Sequence, residues 1–180
     1  MLKWITKFTH KIEKQAVETG LIYRLASRYY NDVVRKEAVL ASITQEDHIL
    51  CIGGGICPFT AILFHQLTGA KVTVIDKDEK CIPKARKVIS RLKLNEQVRV
   101  LHKDGNNVDL GDYSVIHVAL QVSPMEKVLS SIESQITEGT RLLVRRPKIG
   151  ARLLSYCPYT THKARNIGST VLYIKQDIAA

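Results

Sequence analysis

The chain has 180 residues, 45% of them hydrophobic, which suits one buried core near the upper end of single-domain size. Lys and Arg outnumber Asp and Glu by 27 to 17, and the +10 charge gives a field that attracts anionic ligands, nucleic acid or an acidic membrane. No run approaches 18 apolar residues, the N-terminal Met1-Leu2-Lys3-Trp4-Ile5 lacks a secretory pattern, and Cys51, Cys57, Cys81 and Cys157 form neither a CxxC pair nor a zinc-like cluster. Membrane spanning, secretion and a disulfide framework are all disfavoured, and a cytoplasmic protein without membrane contact is expected.

From Trp4 to about Leu40 apolar residues return at three- and four-residue intervals, predicting helix, with a break at Gly20 and a second helix starting near Leu21 or Tyr29. Residues 1–45 thus read as a short helical extension. From residue 46 the rhythm changes to short apolar runs separated by amphipathic helices. Strands are expected at His48 to Ile52, Lys71 to Ile75, Gln97 to Leu101, Val115 to Leu120 and Arg141 to Val144, with a closing strand at Ser169 to Lys175. Helices fit at Phe59 to Leu67, Glu79 to Leu92 and Pro124 to Gln135. This alternation predicts an α/β, Rossmann-like, doubly wound and mostly parallel sheet over residues 46–180. Basic residues recur in Lys3 to Lys14, Lys77 to Lys93, Arg141 to Lys148 and Lys163 to Lys175 without a block of five or six like charges. They read mainly as a solvated surface, so nucleic acid is the less favoured partner.

The apolar run Ile49-Leu50-Cys51-Ile52 leads into Gly53-Gly54-Gly55 and then into a helix, which is the setting of a nucleotide loop. Glycine permits the tight turn and lets a ligand approach the backbone, while the helix N-terminus offers N–H groups. Asp76 ends the second strand about 20 residues later, where a carboxylate accepts hydrogen bonds from the hydroxyls of an adenosine ribose, with Lys77 beside it. Asp104 and Gly105 follow the third strand and are candidates for the adenine, and Gln121 after the fourth strand offers an amide. These positions suit a dinucleotide or S-adenosylmethionine (SAM). Pro58 stands where a third glycine of the dinucleotide pattern would fall, and no second nucleotide half follows, so SAM is the expected cofactor. His65, His102 and His162 are too scattered for a metal site, and none is expected.

The sequence resembles the class I SAM-dependent transferases and, within them, the nicotianamine synthase-like group. The stretches that carry the likeness are Ile52-Gly53-Gly54-Gly55-Ile56-Cys57-Pro58-Phe59-Thr60-Ala61-Ile62, the segment from Leu143 through Arg145-Arg146-Pro147 and Gly150-Ala151-Arg152 to Tyr156-Cys157-Pro158, and Gly168 to Lys175. The resemblance implies transfer of an aminocarboxypropyl group from SAM to an amine, with Gly53, Gly55 and Asp76 at the cofactor and Tyr30 and Glu37 matching a Tyr and a Glu ahead of the first strand. It also departs from that group in its short N-terminal helical part, which leaves a pocket that is open or completed by a second subunit, as in a homodimer.

An amine nucleophile must reach the sulfonium deprotonated, so a carboxylate or phenol near it is required, and Glu37, Tyr29 and Tyr30 are the candidates. Arg145 and Arg146 are placed to fork onto a substrate carboxylate or phosphate, while His117 reads as a core histidine. The expected function is alkyl transfer, of a methyl or a 3-amino-3-carboxypropyl group, to a small amine or amino-acid-like acceptor. The alternatives are an RNA methyltransferase and a non-catalytic SAM- or nucleotide-binding module.

Overall fold

The computed structural model describes residues 20–146 and 162–175, with side chains described from 30 to 146 and from 165 to 175. The elements run α1 (Gly20–Leu40), β1 (His48–Ile52), α2 (Phe59–Thr68), β2 (Lys71–Asp76), a 3-10 turn (Glu79–Cys81), α3 (Ile82–Arg91), β3 (Val98–His102), β4 (Val115–Val118), α4 (Met125–Gln135), β5 (Arg141–Arg145), β6 (His162–Ile167) and β7 (Thr170–Lys175). The expected helix from Trp4 to Val17 and the segment 147–158 lie outside the described residues.

Seven strands form one sheet in the order β3-β2-β1-β4-β5-β7-β6. The first five pair in parallel, and β7 runs antiparallel between β5 and β6. The strand β6 was not foreseen. Its sequence His-Lys-Ala-Arg-Asn-Ile has no alternating apolar pattern, and it is held as an edge strand by its hairpin with β7, turned at Gly168 with φ +59°.

The sheet is covered on both faces, as near-continuous apolar strands require. On one face Ile49, Cys51, Val72, Val74, Val115 and Leu143 pack against α1, α2 and α3. On the other, Leu50, Ile52, Ile116, Val118, Leu142 and Val144 pack beneath Val128, Leu129 and Ile132 of α4. Helix α1 therefore lies on the sheet as part of its cover. Its chain end is pinned by Arg141, which donates to the Ala41 carbonyl at 2.9 Å and pairs with the buried Asp47. Among the described residues no helix is long and apolar enough to cross a membrane.

Candidate cofactor and acceptor site

The carboxyl ends of the parallel strands β1, β2, β4 and β5 share one edge of the sheet, where a doubly wound fold binds its ligands. At that edge the chain leaves β1 through Gly53 and Gly55, with φ +86° and +62°, which a side chain rarely adopts. Space is as restrictive as conformation. A Cβ on Gly54 would lie 2.1 Å from Val74 Cγ1, and one on Gly53 would lie 2.8 Å from Val122 Cγ2. The Gly53 and Gly54 N–H groups donate to the Ile75 carbonyl at 2.9 and 3.3 Å, drawing the loop down onto the end of β2.

Asp76 is joined directly to this loop. Its Oδ2 accepts the Gly55 N–H at 2.7 Å and its Oδ1 accepts the Asp78 N–H at 2.9 Å. A carboxylate has about four lone-pair sites, so two stay available on this partly exposed side chain. Asp78, in turn, caps the 3-10 turn by accepting from Lys80 N–H, which leaves Asp76 for the loop. Lys77 reaches from the end of β2 to donate to the Ser123 carbonyl beyond β4 at 2.5 Å, bridging the two strand ends. Gly105 is buried between the end of β1 and α4, where a Cβ would meet Ile52 Cγ2 at 2.7 Å and Val128 Cγ1 at 3.4 Å. The neighbouring Asp104 is exposed and folds its carboxylate onto Asn106, accepting from both N–H and Nδ2. Asn106 Oδ1 is buried without a partner, a residue the sequence reading passed over. Gln121 is exposed just beyond β4.

The residues assigned to acceptor chemistry are gathered differently from their expected roles. Glu37 on α1 is fully buried, and its carboxylate is gripped on both oxygens by Arg145 at the end of β5: Nε to Oε1 and Nη2 to Oε2, each 2.7 Å. Thr170 Oγ1 adds a donation to Oε1 at 2.6 Å, from the position paired with Arg145 across β5 and β7. Arg145 Nη1 continues to Thr60 Oγ1 at 3.0 Å in the first turn of α2, and its guanidinium lies over the Tyr30 ring, 5.8 Å from the centroid. Tyr30 stacks on Phe59 with centroids 5.7 Å apart. One polar cluster thus joins α1, α2, β5 and β7.

Burial by itself raises the Glu37 carboxyl, but the hydrogen bonds and charge of Arg145 outweigh it and hold the group far below the usual carboxylate range. A buried carboxylate held by these three donors is a weak proton acceptor, which counts against the role of base that the sequence suggests for Glu37. The same grip withdraws Arg145 from the substrate-binding role expected of it. His117 is buried with its Nε2 3.7 Å from Glu37 Oε2, beyond hydrogen-bond reach. Burial first, and Arg145 second, push its pKa down and keep the ring neutral. Arg146 bonds the Tyr173 hydroxyl at 2.5 Å. The Tyr29 side chain lies outside the described residues, and among those residues no group of three His, Cys, Asp or Glu is placed to hold a metal.

The profile of the nicotianamine synthase proteins matches residues 28–176, which takes in every element from most of α1 to β7. The L-histidine 2-aminobutanoyltransferase of Yersinia pestis is 28% identical over 132 residues, 72% of this chain and 48% of its own. The chain therefore spans about half the length of that curated relative. Among solved structures, a Glu-to-Gln mutant of the nicotianamine synthase MtNAS in complex with S-adenosylmethionine superposes with a TM-score of 0.79 at 22% identity, covering 97% of this chain and 76% of that one. A putative SAM-dependent methyltransferase from Methanococcus maripaludis gives 0.70 at 13% identity over 94% and 95% of the two chains. An RNA methyltransferase from Salinibacter ruber in complex with S-adenosyl-L-homocysteine gives 0.64 at 20% identity over 82% and 93%. The structural likenesses show the fold, and the profile match across most of the sequence shows that the chain belongs to the nicotianamine synthase family.

Proposed function

We propose that this chain transfers the 3-amino-3-carboxypropyl group of SAM to the amine of a small, amino-acid-like acceptor. The observation that carries the reading is the union of the glycine turn with Asp76: the Gly55 N–H on Oδ2 fixes a carboxylate at the rim of a loop that tolerates no side chain. Such a rim suits an adenosine whose ribose hydroxyls take the two remaining lone-pair sites. Family membership supports aminocarboxypropyl rather than methyl transfer, and the name of the Yersinia pestis relative points to an amino acid as acceptor.

The residues present fit the cofactor. Gly53, Gly54 and Gly55 form its cradle, Asp76 holds the ribose, Lys77 and Gln121 border the cleft, and Asp104 with Gly105 borders the adenine side. When bound, the sulfonium supplies an electrophilic carbon and a neutral thioether as leaving group. The protein's share is positioning, because a neutral leaving group needs no acid. Tyr30 is the phenol we assign to the acceptor amine, as hydrogen-bond partner and proton relay. Its ring is fixed between Phe59 and Arg145. Glu37 acts through Arg145 as a positioning residue, holding the guanidinium that braces both Tyr30 and the first turn of α2. Cys51, Cys57 and Cys81 are buried thiols, consistent with a reducing, cytoplasmic setting.

Chromatography of the nucleoside left after turnover with SAM and a panel of amino acids and small amines tests the assignment. Aminocarboxypropyl transfer leaves methylthioadenosine. S-adenosylhomocysteine as the sole product reassigns the chain to methyl transfer, and binding of NAD in place of SAM removes the reading altogether.

A further inference from the structure

The net charge is not evenly spread once the chain is folded. Residues 77–103 carry Lys77, Lys80, Lys84, Arg86, Lys87, Arg91, Lys93, Arg99 and Lys103 against Asp78, Glu79 and Glu96, which is +6 of the total +10 in 27 of 180 residues. All nine basic side chains are exposed. They lie on α3, the turns around it and β3, which is one edge of the sheet. Lys80, Lys84, Lys87, Lys93, Arg99 and Lys103 form no ion pair with a described acidic residue.

A groove runs between α3 and the β3 edge, lined by Pro83, Arg86, Lys87, Ser90, Asn95 and Arg99. The helix contributes positions 83, 86, 87 and 90, the stripe that one face of a helix presents. Of the partners open to such a surface, an added peptide strand is blocked. Arg86 donates through both Nε and Nη2 to the Val100 carbonyl, at 3.1 and 2.9 Å, occupying an acceptor on the strand edge. A membrane is disfavoured because the exposed large hydrophobic residues among those described, Val39 and Leu67, lie on α1 and α2 rather than here.

We propose that the α3–β3 edge is a docking surface for the phosphodiester backbone of nucleic acid, distinct from the acceptor site and independent of the assignment of SAM. Dense, exposed, unneutralised cations along a groove that also carries the apolar Ile89, Val98, Val100 and Leu101 match a line of phosphates, each bound with release of a counterion. No aromatic residue lines the groove, so bases are not stacked and the contact is sequence-independent. RNA and DNA of equal length bind alike. Because Lys77 and Lys103 adjoin the ends of β2 and β3, the strip leads to the adenosine side of the cleft and leaves the ends of β4 and β5 open to a small acceptor.

Fluorescence anisotropy with a labelled, unstructured 20-nucleotide RNA and its DNA counterpart tests this, using the full chain. With about five phosphates neutralised, the log–log salt slope is about −3.5, so raising salt from 50 to 200 mM weakens binding about 100-fold. The triple substitution Lys84→Glu, Lys87→Glu, Arg99→Glu spares Arg86 and is expected to lower affinity more than tenfold and to flatten the slope to about −1.4. The charge-matched triple Lys36→Glu, Lys71→Glu, Lys127→Glu, placed on α1, β2 and α4, is expected to retain most of the binding. Equal loss in both triples overturns the proposal, as it would show only the pull of net charge. So does the absence of RNA and DNA binding at 50 mM salt, or binding confined to phosphatidylserine vesicles or to a poly-glutamate peptide.

Discussion

Replacing Glu37 by Gln probes the polar cluster on which the placement of α1 depends. The change keeps the shape of the side chain but removes the charge that two Arg145 nitrogens grip at 2.7 Å, and it sets an amide N–H₂ against one of those donors. Arg145 is then left as a nearly buried charge without a counter-ion among the described residues, beside Thr60 and the face of Tyr30. Breaking a buried pair from one side costs about 3–5 kcal/mol. In a chain of this length each kcal/mol lowers the melting temperature by roughly 2–4 °C, so calorimetry at pH 7 should show a fall on the order of 10 °C. The double variant Glu37→Gln, Arg145→Met removes the orphaned charge and should recover most of that loss, since an apolar replacement of a whole pair is often neutral. The pH dependence has a definite sign. The folded Glu37 carboxyl lies below its ordinary value of 4.5, so its stabilisation is complete above that pH and drains away as the pH falls toward the folded value. The gap between wild type and Glu37→Gln should therefore narrow in acid. A single variant that melts within about 1 °C of wild type at pH 7, or a gap unchanged from pH 7 to pH 3, would refute the reasoning.

Asp76→Ala should weaken SAM binding by about 1.5–3 kcal/mol, read by calorimetry, through loss of charge-assisted hydrogen bonds; unaltered affinity would place the ribose elsewhere. Gly54→Ala drives a methyl group to 2.1 Å from Val74 and must lift the loop, so SAM affinity should fall at least tenfold, while Gly111→Ala, whose Cβ would meet Asp109 Oδ1 at an ordinary 3.5 Å, should leave affinity unchanged. Equal affinities in the two would show that the loop is not the cradle. Tyr30→Phe keeps the stack on Phe59 and the ring under Arg145, so it should lower kcat at least tenfold with little change in melting temperature; full activity would remove the hydroxyl from the chemistry.

The β1–loop–α2 unit was legible because apolar run, glycines and helix follow one another within a few residues, so local rules suffice. Asp76 was legible for the same reason: it ends an apolar strand at a fixed distance from that loop. Glu37 was not, although a signal was present. It lies three residues after Val34 and four before Ala41, both buried, so the helical period places it on the inward stripe. Only its partner, 108 residues away on β5, makes that burial tolerable, and no local pattern names such a partner. Arg145 was misread for the complementary reason, since the end of an apolar strand looks like a place where charge meets solvent. The concentration of cations on the α3–β3 edge likewise depends on Arg99 and Lys103 folding back beside a helix that precedes them in the chain.

The Glu37 cluster also bears on synthesis. As the chain emerges N-terminus first, α1 carries its carboxylate long before Arg145 appears, and Thr170, 133 residues on, comes later still. Until β5 and β7 have docked, settling α1 on the sheet buries Val34 and Ala38 but strips water from Glu37 with no partner to replace it. Full docking of α1 thus waits for β7, so that a chain whose β7 has yet to form leaves Glu37 without all its partners, and one that has formed it locks α1, β5 and β7 in a single cooperative step.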